Sequence, residues 1–174
     1  IGLSNETPWG TMKYLELAET RSLPRVASIQ NAYNLVNRGF EIGLSEVAMH
    51  EQVGLLAYSP LAQGTLTGKY LGGQMPQGSR LALFGDGPLM MRYKGDKTQQ
   101  AIEMYVNLAK KYEIDPAQLA IQFCNIQPFV TSTIIGATTM EQLKTCIDSV
   151  DLDITKEIMN EIRGIHKEIP NPAP

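Results

Sequence analysis

Cysteine is scarce in this 174-residue sequence, which holds two, Cys124 and Cys146. Both fall in helical patterns and lack the spacing of metal ligands, so they read as free thiols in a reducing cytosol. Histidine is equally rare. His50 and His166 lie on helical stretches away from strand ends and read as surface or packing residues, not catalysts. Neither sign of charge dominates: 15 Lys and Arg stand against 18 Asp and Glu, a net charge of −3. That balance gives no electrostatic reason to expect nucleic acid or an anionic membrane as partner. No apolar run is long enough to span a bilayer and no secretory signal is visible, so a cytoplasmic protein is expected. There is no low-complexity segment and no short repeat.

What is present is ordinary for a globular chain. Hydrophobic residues make up 43% and charged residues 19%, and the length suits one domain with a sizeable core. The opening Ile1-Gly2-Leu3-Ser4-Asn5 has no initiator methionine and reads as the middle or end of a strand. A fragment, a processed chain or a stretch limited to ordered residues would each look like this.

The pattern alternates. Ile1 to Leu3 ends a strand. Thr7 caps a helix that begins with Pro8 and runs to about Thr20, with Met12, Leu15 and Leu17-Ala18 facing a core. Val26 to Gln30 is a second strand and 31–35 a turn. A helix near Phe40 to Gln52 turns Ile42, Leu44, Val47 and Ala48 inward. Val53 to Tyr58 reads as a strand buried on both faces. Residues 71–94 form a long glycine-rich segment with Pro76, Pro88 and Met90-Met91, expected to pass over a ligand site and to be partly mobile. Helices follow at about 96–112 and 115–125, with Asp96 and Asp115 as candidate caps. Val130 to Ile135 is a fourth, β-branched strand, and helices at about 140–149 and 154–167 precede the tail. The order β-α, β-α, β-α-α, β-α-α implies parallel strands with helical crossovers.

In parallel α/β folds ligands sit at the carboxyl ends of strands. Each strand here ends in polar or small residues: Ser4-Asn5, Gln30-Asn31, Tyr58-Ser59 and Gly136-Ala137-Thr138. The stretch VGLLAYSPLAQGTLTGKY, 53–70, is the most informative. An aromatic at the strand end offers a stacking face, the glycines let backbone approach closely, and Lys69 adds charge, which together suit a phosphate-bearing ligand. A loop that merely turns the chain is the plainer alternative. At 136–139, small residues precede a helix whose N-terminus favours an anion.

These motifs resemble those of the aldo-keto reductases, nicotinamide-dependent carbonyl reductases built on a (β/α)8 barrel. YSPLAQGTLTGKY is similar to their strand-seven loop, GLSN to their strand-five motif, and IIGATTMEQLKTCI to their strand-eight motif. With the ending NPAP, the likeness is nearest the Tas-like branch and covers the whole chain. The resemblance implies an α/β fold, the parallel half of a TIM (β/α)8 barrel comprising strands five to eight with outer helices, in one domain over 1–174 with a long loop at 71–95. It implies NADPH as cofactor and a small-molecule carbonyl as substrate. Ser4, Asn5 and Gln30 would hold the nicotinamide carboxamide and Tyr58 would stack on its ring. Ser59, Leu61, Gln63, Gly64 and Lys69 would hold the pyrophosphate, with Arg80 near the phosphates. Gly136, Thr138 and Gln142 would contact the adenosine and its 2′-phosphate. Departures stand at Ile135, Thr145 and Cys146, where many members carry Pro, Glu and Asn. These departures bear on adenine affinity and leave the choice of NADPH over NADH open.

The family's catalytic tyrosine, aspartate, lysine and histidine belong to the other half of the barrel, so the resemblance implies no catalytic residue here. Tyr14, Tyr33, Tyr93, Tyr105 and Tyr112 match no catalytic motif, and Met90-Met91 reads as loop packing before substrate pocket. Nor is a metal site expected. A four-stranded half has two open edges and one uncovered face, so self-association or pairing with an amino-terminal half is expected. The alternative to half an enzyme is an inactive nucleotide-binding or self-associating half-barrel.

Overall fold

A computed structural model of the chain describes residues 1–85 and 87–174, together with the backbone but not the side chains of Pro88 and Leu89. Four strands, β1 (Gly2–Ser4), β2 (Ser28–Ala32), β3 (Gly54–Tyr58) and β4 (Val130–Thr133), form one sheet in the order β1-β2-β3-β4. Every neighbouring pair is parallel. Sequential order with helical crossovers, and helices packed on one face, is the arrangement of half a (β/α)8 barrel.

Helix α1 (Pro8–Thr20) starts where Thr7 Oγ1 accepts from the Gly10 N–H. Helix α2 (Leu44–Glu51) follows a 3-10 turn at Gly39–Glu41. The long segment is not structureless: it carries a 3-10 turn at Leu71–Gly73 and two short helices, α3 (Arg80–Phe84) and α4 (Pro88–Met91). Asp86, which falls in that segment, lies outside the described residues. Helices α5 (Asp96–Lys111), α6 (Pro116–Asn125), α7 (Met140–Asp148) and α8 (Lys156–Glu168) complete the chain. Asp115 caps α6 by accepting from the Ala117 and Gln118 N–H groups.

The core lies between the sheet and the helices. Ile29 and Leu55 from the strands meet Leu15, Ile102, Phe123 and Ile162 from the helices. Tyr33 stacks on Phe123 at 5.8 Å between ring centres and meets Phe129 edge-on at 5.3 Å.

Several local expectations are corrected. Met12 and Ile42 are exposed. The helix containing Ile42 breaks at Gly43, whose φ of +87° no helix accommodates, and the break turns Ile42 outward. Asn31 and Ala32 continue β2 instead of turning, paired with Ala57 and Tyr58. Asp96 is the first residue of α5, and the cap is Gly95. Strand β3 is covered on one face only: Leu55 and Ala57 are buried while Gly54, Leu56 and Tyr58 are half-buried. Of the methionine pair, Met90 is buried, in keeping with loop packing, and Met91 is exposed.

Candidate functional site

The carboxyl ends of the strands carry a polar constellation. Register places Ser4 beside Gln30, Gln30 beside Leu56, and Leu56 beside Ser132, so these side chains share the uncovered face. Asn5 follows β1 with φ +52° and its N–H donates to Gln30 O at 3.0 Å. Its amide then links two neighbours: Asn5 Nδ2 donates to Ser4 Oγ at 3.0 Å, and the Tyr58 hydroxyl donates to Asn5 Oδ1 at 2.9 Å. Ser4, Asn5, Gln30 and Tyr58 therefore stand together across three strands.

Beyond Tyr58 the backbone is unusual. Ser59, Ala62 and Gln63 all have positive φ, and Gly64 follows at +91°. Such conformations cost of order 1–3 kcal/mol each for non-glycine residues and cluster at ligand sites. The loop is held by internal bonds: Ala62 N–H to Ser59 O at 2.9 Å, Gly64 N–H to Leu61 O at 2.8 Å, and Gln63 Nε2 to Ser59 Oγ at 3.0 Å. A Cβ at Gly64 would come within 3.1 Å of Lys69 Nζ, so glycine lets the lysine lie across the loop. Tyr70 is buried and its hydroxyl accepts from the Leu81 N–H at 3.3 Å, which brings the start of α3, and Arg80, alongside Lys69.

The loop forms one wall of a cleft of about 600 Å³. Ser59, Leu61, Gln63, Gly64 and Lys69 line it on one side and Gly136, Thr138 and Gln142 on the other, with Arg80 at its rim. These are nine of the thirteen residues singled out in the sequence; the other four form the strand-end constellation next to it. On the far wall Thr139 caps α7, accepting from the Gln142 N–H at 3.2 Å. Gln142 Oε1 reaches back and accepts from the Thr138 N–H at 3.0 Å and from its hydroxyl at 3.1 Å. A neutral oxygen thus occupies the position at the helix N-terminus where an anionic oxygen is favoured.

Electrostatically the cleft is one-sided. Lys69 and Arg80 line it, and no carboxylate does so among the described residues. Two cations and an adjoining set of amide and hydroxyl side chains suit an elongated ligand with phosphate in the middle. No group of three or more His, Cys, Asp or Glu able to hold a metal occurs among the described residues.

Pro76–Ser79 line the cleft from the long segment expected to pass over a ligand site, whereas Asn34 is not among the site residues singled out in the sequence. Asn34 lies behind the loop, and its Nδ2 donates to Ser59 O at 2.9 Å. Among the tyrosines outside the cleft, Tyr33, Tyr93 and Tyr105 are buried, and Tyr14 is exposed. Tyr33 donates to Glu41 Oε1 at 2.6 Å, and burial pushes its hydroxyl pKa far up. Glu41 accepts two bonds from the Arg38 guanidinium, at 2.6 and 2.8 Å. Burial alone would raise the Glu41 carboxyl pKa, but the bonds from Arg38 and Tyr33 outweigh it and hold the group below its usual range. Cys124 and Cys146 are buried, and burial pushes both thiols up.

Residues 1–167 match the Aldo/keto reductase family. Protein Tas of Escherichia coli K12 is 51% identical over all 174 residues, which cover 49% of that protein. An aldo-keto reductase of Babesia bovis is 40% identical over 95% of the chain and 60% of its own length, and the L-glyceraldehyde 3-phosphate reductase of E. coli K12 is 32% identical over 87% and 44%. The chain spans about half the length of the curated relatives it matches. It belongs to the aldo/keto reductase family, an oxidoreductase family.

Proposed function

We propose that residues 1–174 are the carboxyl-terminal, NADP(H)-holding half-barrel of an aldo-keto reductase that reduces aldehydes or ketones. The observation that carries this reading is the continuity of the strand-end constellation with the cationic cleft. Ser4, Asn5 and Gln30 offer donors and acceptors for a planar carboxamide. The Tyr58 ring gives a stacking face beside them. Ser59 to Gly64 turns its backbone toward the phosphates, with Lys69 and Arg80 opposing their charge. Gly136, Thr138 and Gln142 close the far end around the adenosine and its 2′-phosphate, once Gln142 gives up its contact with Thr138. These donor types and their spacing fit NADPH.

When bound, the nicotinamide supplies the hydride. This chain's residues orient the ring, neutralise the phosphates and hold the carboxamide. No described side chain near the strand ends is assigned as the general acid for the carbonyl oxygen: the Tyr58 hydroxyl is engaged with Asn5, Tyr33, next after β2, is engaged with Glu41, and Tyr93, beside Asn34, is buried. The chain alone is therefore expected to bind NADPH without oxidising it against a carbonyl. Isothermal titration with NADPH tests this. Tyr58→Ala should weaken binding at least fivefold, and an unchanged affinity would overturn the assignment of the site.

A second reading, association through the bare surfaces, has its own observation. The helices beside the two edge strands each expose large apolar residues: Trp9 is 76% exposed on α1 and Met140 78% exposed on α7, with Ile147 two turns on along the same face. Open parallel edges flanked by apolar helices favour pairing, with a second copy or with another half.

A further inference from the structure

We infer that Asn34 is a positioning residue for the nucleotide loop, and that the carboxyl-terminal tail holds Asn34 in register; the inference rests on the nucleotide reading of the cleft.

Residues 33–37, directly after β2, are all buried. A loop cannot be buried unless its backbone polar groups are paired. Asn34 does most of that pairing. It is completely shielded from solvent, and its Oδ1 accepts from the Val36 N–H at 3.0 Å and the Asn37 N–H at 2.9 Å. Its backbone exchanges bonds with Asn37 in both directions, at 3.0 and 3.1 Å. The remaining end of the side chain, Nδ2, points out of the loop to Ser59 O at 2.9 Å.

That carbonyl is the hinge of the nucleotide loop. It also accepts the Ala62 N–H at 2.9 Å, the bond that closes the first turn, and it belongs to a residue with φ +55°. Asn34 thus fixes a carbonyl in a strained turn whose other face lines the cleft. It does not line the cleft itself and acts through Ser59. The task needs a donor and an acceptor on separate atoms of one short side chain, which the amide supplies. Aspartate lacks the donor, and leucine lacks both.

The tail closes the arrangement from behind. Asn171 Oδ1 accepts from the Arg38 N–H at 2.8 Å, the Ala173 N–H donates to Val36 O at 3.0 Å, and Thr98 Oγ1 donates to Pro172 O at 2.8 Å. Ala173 is buried although it is one residue from the end. The carbonyl of Val36 and the N–H of Arg38, which Asn34 leaves unpaired, are both taken by the tail.

The test uses the full chain and two readouts: site-resolved hydrogen exchange without ligand, and NADPH titration. In Asn34→Ala, exchange at the Ala62 amide should rise about tenfold, and NADPH binding should weaken by about the same factor, the scale of one buried hydrogen bond. Asn171→Ala should raise Ala62 exchange about threefold. Ile162→Val, which loosens the core without touching either link, should leave the Ala62 amide in step with the rest of the chain. The inference is overturned if Ala62 exchange is unchanged in Asn34→Ala, or rises no more than the global rate. Should Asn34→Ala fail to fold, Asn171→Ala decides by the same criterion. Absence of NADPH binding in the parent chain would sink the functional reading alone, because the exchange readout needs no nucleotide.

Discussion

The two faces of the four-stranded sheet differ in what they ask of a residue. On the helix-covered face Leu3, Ile29, Leu55 and Ala57 sit in a continuous core with Phe123 and Ile162. On the other face the matching positions are Gly2, Ser4, Ser28, Gln30, Gly54, Leu56 and Ser132, mostly small or polar. A Cβ at Gly54 would collide with Thr131 Oγ1, so even the gaps on that side are set by the neighbouring strand. One face is built to fold the chain. The other carries its polar groups toward the carboxyl ends, where the candidate site begins. The packed core and the candidate site thus lie on opposite sides of the same strands.

The contrast can be broken most strongly on the covered side. Leu55→Ala removes a fully buried side chain from the central strand and should cost about 3 kcal/mol in urea unfolding, within the usual range of about 2–5 kcal/mol for such truncations. A loss below about 1 kcal/mol would mean that the face is less packed than it looks. The flanks come next. If the exposed apolar helices drive association, the chain should scatter light as more than one copy, and Trp9→Glu with Met140→Glu should return it to the mass of a single chain. A monomeric parent would remove association from the account.

Acid should act on the covered side too, through the buried network below β2. Burial, then the charge of Arg38, holds the His166 imidazole below its ordinary value of 6.5, against an opposing pull from Glu41. Glu41 is likewise held below 4.5. In both cases the unfolded chain binds protons more readily than the folded one. Stability should therefore be complete at pH 7, begin to fall as pH drops below about 6.5, and fall further below about 4.5. Glu41→Gln should lower the melting temperature at pH 7 and flatten the lower part of the slope; an unaltered slope would exclude Glu41 as its source. The smallest effect belongs to the bare face: Ser132→Ala, on an exposed strand position, should stay within about 0.5 kcal/mol of the parent.

Much of the fold was legible because local chemistry and global topology agree. Thr7-Pro8 and Asp115-Pro116 announce helices that begin where expected, and strand–helix alternation yields the parallel sheet in sequence order. The misses have local causes. Gly43 interrupts a helical pattern that continues on paper through Ile42, and Gly95 takes the cap that Asp96 seemed to offer. Short helices such as α3, capped by Ser79, carry too few residues for periodicity to reveal. Of the site, the residues that line the cleft are visible as strand ends and glycine-bearing loops. Asn34 is not, because it reaches the cleft only through a carbonyl 25 residues away in sequence. Its one trace is an asparagine followed by backbone N–H groups two and three residues on, the pattern of an Asx turn.

Amide chemical-shift mapping during an NADPH titration would locate the bound nucleotide. Shifts should be confined to residues 4–5, 30, 58–64, 69, 80 and 136–142, with the amino ends of the strands unmoved. Shifts scattered over the helices, or none at saturating nucleotide, would contradict the proposed site.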